Sequence, residues 1–238
     1  MTSRTRSSAV STAEIQRLDT DTIDTVGIPR LLLMEHAGLA LAHVAHRIFL
    51  QTRRSAPAMR ASEIVVCAGS GYNGGDGLCA AWHLAHLGCS VRVLLSGSFD
   101  DRPAEPKIYA GILRSLRVPM LETTEVDATQ ILPRATLIVD ALLGVGLRGP
   151  IRSSMATLIA EMNRARRPVV SADIPSGLDA DTGLPRGTAV VAAATVTFGL
   201  PKHGLLIRQG PRHAGRVHVA DIGLPRSLTT RFTMPDKP

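Results

Sequence analysis

The sequence predicts an α/β fold built on one largely parallel sheet with helices on both faces. Two observations carry this expectation. Short apolar runs alternate with helical segments along most of the chain, which is the pattern of successive βαβ units. The composition is 45% hydrophobic but only 3% aromatic, so the core is built from Ala, Val, Leu and Ile, as in parallel sheets buried on both faces. At 238 residues the chain suffices for one full-sized domain. It shows no internal repeat, no low-complexity tract and no second core.

Taken in order, Thr12–Thr25 and Leu31–Leu50 read as N-terminal helices broken at Gly27-Ile28-Pro29. In the second, Leu32, Leu33, His36, Leu39, Ala40 and His43 fall at near-helical spacing. Its histidines read as a satisfied or partly exposed helix face sooner than as ligands. Gln51–Ala61 is a polar connection. Glu63–Ala68 is a strand, Gly75–Leu87 a helix, Val91–Leu95 a strand and Ala104–Leu116 a helix. A short strand is expected near Met120, then strand Ala135–Leu142, helix Ile151–Asn163 and strand Pro168–Ala172. Val191–Phe198 and Arg216–Ala220 supply the last strands. The domain is expected over residues 12–228, with a disordered tail at 1–11 and a C-terminal tail at 229–238.

Composition narrows the function classes. The net charge is +7, and residues 201–238 hold seven Lys or Arg against two Asp. Nucleic acid is not the expected partner, because aromatic stacking platforms and recognition motifs are lacking. Arg makes up 24 of the 27 basic residues, a codon-usage signature more than a functional one, and an anionic small-molecule ligand fits the charge. No apolar run approaches the roughly 20 residues of a membrane span. The Ser/Thr-rich start lacks the apolar core of a secretory signal. Cys67, Cys79 and Cys89 suit neither a disulfide framework nor zinc, and read as thiols in a reducing compartment. A cytoplasmic location is expected.

The most informative stretch is Ile64-Val65-Val66-Cys67-Ala68-Gly69-Ser70-Gly71-Tyr72-Asn73-Gly74-Gly75-Asp76-Gly77, a strand running into five glycines within nine residues. Strand, glycine loop and helix together make an anion-binding turn, with free amides and the positive helix end aimed at one spot. A tight βα turn without a ligand gives the same pattern. The Lys-Ser/Thr of a Walker loop is missing, and Asp76-Gly77-Leu78 stands there instead. Gly69, Gly71 and Gly74 meet the G-x-G-x-x-G spacing. However, a carboxylate at the mouth suits a sugar hydroxyl, a polar ring or a metal ion better than a pyrophosphate.

Ligands of open parallel sheets bind beyond the carboxyl ends of the strands, where strand order reverses. Two further strand ends carry polar punctuation. One is Val139-Asp140-Ala141-Leu142-Leu143-Gly144-Val145-Gly146-Leu147-Arg148-Gly149-Pro150, and the other is Asp173-Ile174-Pro175-Ser176-Gly177-Leu178-Asp179. Asp140 and Asp173 follow apolar strand residues directly, so both carboxylates are expected to emerge at one sheet edge beside Asn73. Asp179 and Asp181 suit turn or helix capping. The oxygen-only donor set, with Ser176, suits a hard cation, and potassium is compatible with so few carboxylates. Asp173, in a poorly hydrated cleft, is the candidate acid/base.

These segments resemble the NAD(P)H-hydrate epimerases, the YjeF N-terminal domain family. The resemblance rests on Gly-Ser-Gly-Tyr-Asn-Gly-Gly-Asp-Gly, Val-Asp-Ala-Leu-Leu-Gly-Val-Gly-Leu and Asp-Ile-Pro-Ser-Gly-Leu-Asp. It also rests on Leu33-Met34-Glu35-His36-Ala37-Gly38, Phe198-Gly199-Leu200-Pro201-Lys202 and Ala220-Asp221-Ile222-Gly223-Leu224-Pro225, in family order from about Thr12 to Pro225. It implies a Rossmann-like three-layer αβα sandwich that interconverts the R and S epimers of NADHX and NADPHX, nicotinamide cofactors hydrated at the ring. It implies a potassium site at Asn73, Asp140 and Ser176. Implied substrate contacts are Tyr72, Asn73, Gly74, Gly75 and Asp76, then Gly144, Val145, Gly146, Leu147, Arg148, Gly149 and Pro150, and finally Asp173. Arg148 reads equally as a phosphate contact or as loop decoration. Tyr72 stands where the family commonly has Asn, and Trp82 where it often has Arg.

A homodimer is also implied, as is a dehydratase acting in the same repair. The chain stops soon after the last epimerase segment, so the dehydratase is expected on a separate chain, or this is the first half of a longer one. Two other readings compete. A non-catalytic Rossmann-like scaffold would not need Asn73, Asp140, Asp173 and Ser176 together. An NAD-dependent dehydrogenase would need an acidic residue near Leu94-Leu95-Ser96-Gly97.

Overall fold

Along the central strand β1 (Glu63–Ala68), side chains divide between two helical layers. Ile64, Val66 and Ala68 join one apolar cluster, while Val65 and Cys67 join another. Successive side chains of a strand point to opposite faces, so a run that is apolar at every position is one buried on both sides. The computed structural model describes residues 8–55, 62–124, 126–146, 149 and 151–232. Strands β2 (Ser90–Leu95), β3 (Met120–Glu122), β4 (Leu137–Ala141), β5 (Val169–Ala172), β6 (Ala194–Phe198) and β7 (Arg216–Ala220) complete the sheet. All seven strands are parallel, in the order β3-β2-β1-β4-β5-β6-β7. The order reverses between β1 and β4, and the carboxyl ends of those strands open the crevice in which such folds bind ligands.

The first cluster packs α2 (Arg30–Ser55), α3 (Tyr72–His86) and α4 (Ala104–Ser115) on one face of the sheet, and the second packs α6 (Ser153–Arg164) on the other. This is the expected three-layer αβα sandwich. The buried face of α2 runs through Leu33, Met34, Ala37, Leu41, Ala42, Ala45 and Phe49, and Leu32 and His43 face solvent. Of the stripe expected at Leu32, Leu33, His36, Leu39, Ala40 and His43, Leu33 is buried and Ala40 packs against the core, whereas Leu32, His36 and His43 are exposed. His36 is satisfied, its Nδ1 lying 2.9 Å from the Ile222 carbonyl. Glu35 of α2 brackets the three helices. Its carboxylate accepts from the Tyr109 hydroxyl of α4 at 2.8 Å and the Cys79 thiol of α3 at 3.4 Å, and it pairs with His83 of α3 at 2.8 Å.

Helix α3 starts at Tyr72, earlier than Gly75, so three glycines lie inside it despite their poor helix propensity. Close approach to the sheet requires them. A Cβ on Gly74 would sit 1.9 Å from the Gly69 carbonyl, and one on Gly77 would sit 2.4 Å from the Ala141 Cβ. The first predicted helix is α1 (Thr12–Thr20) continued by a π-turn over Asp21–Thr25, and Ser11 and Glu14 close a capping box at its start. Short helices α5 (Ala128–Ile131), α7 (His203–Leu206), α8 (Gly210–Ala214) and α9 (Arg226–Thr229) fill connections that the sequence pattern left as loops.

Of the tail expected at 1–11, residues 8–11 are docked. The Ser8 amide donates to the Phe232 carbonyl at 2.7 Å, and buried Val10 bridges in parallel to Lys202. The same contact ties residues 229–232 of the expected C-terminal tail to the domain, and 1–7 and 233–238 lie outside the described residues. No helix among the described residues is long and apolar enough to cross a membrane.

Candidate active site

A cavity of about 800 Å³ opens at the carboxyl ends of β1 and β4, a volume in the range of small-molecule sites. Of the residues predicted to contact substrate, Tyr72, Asn73, Asp76, Gly144, Val145, Gly146 and Asp173 line it. Gly74 and Gly75 lie behind it, packed against Gly69 and against Met34 and Pro106. Gly149 is exposed and outside the lining, and Leu147, Arg148 and Pro150 lie outside the described residues.

Asp140 does not emerge at the sheet edge. It is a β4 residue with no exposed surface, and its carboxylate is enclosed beneath the cavity. Its Oδ2 accepts from the Ser171 hydroxyl at 2.8 Å and the Ser176 amide at 2.9 Å, while its Oδ1 accepts from the Ser176 hydroxyl at 2.5 Å. The Leu143 amide in turn donates to Ser176 Oγ at 2.9 Å, so this network ties the β4 loop to the β5 loop. Burial pushes the Asp140 carboxyl above its ordinary value, and the Ser176 and Ser171 hydrogen bonds offset part of that.

Asn73 lies at the start of α3. Among the described residues, its buried side-chain oxygen and nitrogen have no hydrogen-bond partner, which is costly for an amide. Gly144 faces it so closely that a Cβ there would lie 3.2 Å from the Asn73 side chain. Asn73 against Gly144, and Ser176 and Asp140 through Leu143, thus border the same loop, and their oxygens are of the kind that a hard monovalent cation takes.

Asp173 follows β5 with a left-handed backbone (φ 64°), a conformation Asp tolerates better than most residues. Its Oδ1 accepts from the Phe198 amide at 3.1 Å and is ion-paired with Lys202 Nζ. Lys202 is 1% exposed, and its ammonium also donates to the Phe198 carbonyl at 2.8 Å and the Thr197 hydroxyl at 3.2 Å. All three ammonium protons are thus placed, the condition under which a buried ion pair is tolerated. The sequence reading missed Lys202 as a site residue although it quoted the segment that ends there. Asp19 of α1, with Arg30 and Arg152, also lines the cavity, and no local pattern marked any of them. Burial lifts the Asp19 carboxyl to about 6, with neighbouring Asp173 adding to the rise and Lys202 and Arg30 opposing it. Burial raises Asp76 well above the usual carboxylate range, and the charges of Asp173 and Asp19 push the same way.

The family model described as "YjeF-related protein N-terminus" matches residues 30–204, which include the glycine loop, both Asp loops and Lys202. The chain belongs to the YjeF N-terminal family. Among YjeF relatives, the NAD(P)H-hydrate epimerase of Limosilactobacillus fermentum is 40% identical over 213 residues, covering 90% of this chain and 96% of that protein. The bifunctional NAD(P)H-hydrate repair enzyme Nnr of Pyrobaculum aerophilum is 42% identical over 211 residues, covering 84% of this chain but 39% of that protein. The crystal structure of yeast ynu0 superposes with a TM-score of 0.75 at 26% identity, covering 97% of this chain and 95% of the other. The full YjeF sandwich, from α1 to the last strand, is therefore shared with a solved relative.

Proposed function

We propose that this chain is an NAD(P)H-hydrate epimerase that interconverts the R and S forms of NADHX and NADPHX. The observation that carries the reading is the cavity at the strand-order reversal, whose floor and walls hold Asp76, Asp173 and Lys202 in a chain alignable to curated epimerases over nearly its whole length. The substrate carbon to be inverted bears a hydroxyl and adjoins the ring nitrogen. Breaking its C–O bond leaves positive charge on the ring. A carboxylate paired with a buried ammonium is suited to face that charge, and Asp173 is so paired. We assign Asp173 to face that charge and the acid/base role to its neighbours.

Asn73, Asp140 and Ser176 would hold a potassium ion, which when bound supplies the positive charge that buried Asp140 lacks and braces the three loops that frame the cavity. Arg30 and Arg152 at the wall suit the anionic phosphates of the ligand. The bifunctional relatives join an epimerase-like half to a longer chain. A separate dehydratase would serve the same repair here, with the epimerase acting as a cytoplasmic homodimer.

The test is equilibration of separated NADHX epimers, followed by chromatography with purified chain and no nucleoside triphosphate. Equilibration well above the buffer rate is expected. A rate equal to buffer from folded protein would sink the reading and favour the scaffold.

A further inference from the structure

Inverting a hydroxyl-bearing carbon by loss and return of water needs a proton delivered on one face of the ring and a proton removed on the other. Asp173 is poorly placed to serve as the carrier, because Lys202, the Phe198 amide and the Thr197 hydroxyl converge on one of its oxygens. The cavity holds two further carboxyl groups from separate elements, Asp19 on α1 and Asp76 on α3. Among the described residues, neither takes a hydrogen bond from a side chain or an amide, so both are free to exchange one with a ligand. We infer that Asp76 and Asp19 are the two proton carriers of the epimerisation, and that Lys202 is a positioning residue that keeps Asp173 as their fixed counter-anion.

The charges around the pair agree with that division. Asp76 and Asp19 line one cavity with Asp173, Lys202 and Arg30, and the charge of Asp173 raises both carboxyls while that of Lys202 lowers both. Burial raises both carboxyls, that of Asp76 well above its ordinary value and that of Asp19 to about 6. Two carboxyl groups shifted toward neutrality thus line one cavity, without hydrogen-bond partners among the described residues, so that one can give a proton while the other takes one.

The step balances as follows in the direction that starts with the proton on Asp76 and none on Asp19. Asp76 gives its proton to the substrate hydroxyl, the C–O bond breaks with its electron pair leaving on oxygen, and a water molecule departs. The ring nitrogen lone pair forms a C=N bond, leaving a planar iminium cation opposite the Asp173 carboxylate. Water then attacks the other face and forms the new C–O bond. The C=N π pair returns to nitrogen, and the surplus proton of the attacking water passes to Asp19. The enzyme ends with Asp19 protonated and Asp76 ionised, the state that turns over the opposite epimer, so the two directions reset one another.

This inference rests on the epimerase reading, and the experiment separates the two. Wild-type chain is assayed on each NADHX epimer in H₂¹⁸O, beside Asp76→Asn, Asp19→Asn, Lys202→Met and Lys202→Arg. A wild-type rate equal to buffer would overturn the epimerase reading itself. With wild type active, each Asn variant is expected to lose about 10²–10⁴-fold in rate, the usual contribution of a general acid or base. Each inversion should install one solvent oxygen. Lys202→Met should move the acid limb of the kcat/KM profile to higher pH, because the ammonium that lowers the Asp19 carboxyl is gone, and Lys202→Arg should restore it. Thr197→Val, which removes one anchor of the ammonium without changing a charge, gives a smaller shift in the same direction and replaces Lys202→Met if that variant does not fold. The inference is overturned if either Asn variant stays within threefold of wild type, if the original oxygen is retained, or if the pH profile ignores position 202 and Thr197.

Discussion

Asp140→Ala removes an acceptor from a fully buried network, and the cost can be worked from its partners. The Ser176 hydroxyl, now 2.5 Å from Asp140, has an alternative acceptor in the Leu143 carbonyl at 3.3 Å. The Ser176 amide, the Ser171 hydroxyl and the Leu142 amide, the last bonded at a long 3.4 Å, lose their partner in a place that water does not reach. Each unmet buried donor costs about 1–3 kcal/mol, with the long Leu142 bond at the low end, so the three together cost about 3–7 kcal/mol. Deleting a carboxylate whose charged form burial disfavours returns part of that, which leaves a net loss of about 2–4 kcal/mol. For a chain of this size that lowers Tm by roughly 5–15 °C. Ser171→Ala, which removes one donor only, should cost about 0.5–1.5 kcal/mol.

The pH dependence has a definite sign. Burial raises the Asp140 carboxyl above its ordinary value of 3.8, so the folded state binds that proton more tightly than the unfolded state. Wild-type stability from this group is greatest at low pH and falls as pH rises through the raised value. The gap between wild type and Asp140→Ala therefore narrows toward neutral pH in a lithium buffer. Potassium should reopen it by stabilising only the wild type. Circular-dichroism melts across pH in the two cations measure both effects. A variant within 1 kcal/mol of wild type under every condition would refute the claim that Asp140 anchors the β4 and β5 loops.

Glu35→Gln should destabilise the chain by about 1–2 kcal/mol at neutral pH, a figure already reduced for the partial exposure of the bracket. Burial pushes the Glu35 carboxyl up, but the hydrogen bonds from Tyr109, His83 and Cys79 outweigh it and leave its pKa lowered. Its contribution is thus present above the ordinary glutamate value and lost as pH falls through the lowered one, and urea titrations should show the gap between variant and wild type closing on acidification. Gly74→Ala, whose Cβ would meet the Gly69 carbonyl at 1.9 Å, should cost more than 3 kcal/mol or prevent folding. Gly71→Ala, with open space around the added atom, should stay within about 1 kcal/mol, and a Gly74→Ala protein as stable as Gly71→Ala would overturn the packing account.

The sheet was legible because its strands carry a local signal. Ile64–Ala68, Leu137–Ala141 and Val169–Ala172 are apolar at nearly every position, and only burial on both faces uses such runs. The α2 stripe was legible only in part: Leu33 is buried as expected but Leu32 is exposed, because Leu31, Leu32 and Leu33 are chemically alike and packing of α3 and α4 against the helix decides which of them is covered. The short helices α7 and α8 were not legible, since four or five residues carry no periodicity. Asp179 was read correctly as a turn cap, accepting from the Asp181 and Thr182 amides at 3.0 and 2.7 Å.

The site divides along the same line. Asn73, Asp76 and Asp173 sit one to eight residues beyond strands, where chain order alone places them at the carboxyl edge. Asp19 and Lys202 come from outside the β1–β5 core of the motif: Lys202 reaches Asp173 because β6 pairs beside β5, and Asp19 joins the same cavity from an N-terminal segment docked beside Lys202, with the Val10 amide on the Pro201 carbonyl at 2.8 Å and the His203 amide on the Val10 carbonyl at 3.0 Å. No spacing within a segment encodes that meeting. The glycines show the converse. Read locally, their density marks a place where a ligand approaches the backbone, yet Gly69, Gly74 and Gly77 are required by backbone and side chains already present. The polar residues between the glycines, Asn73 and Asp76, carry the functional information, and the glycines supply the closeness of helix to sheet that brings those two side chains into the crevice.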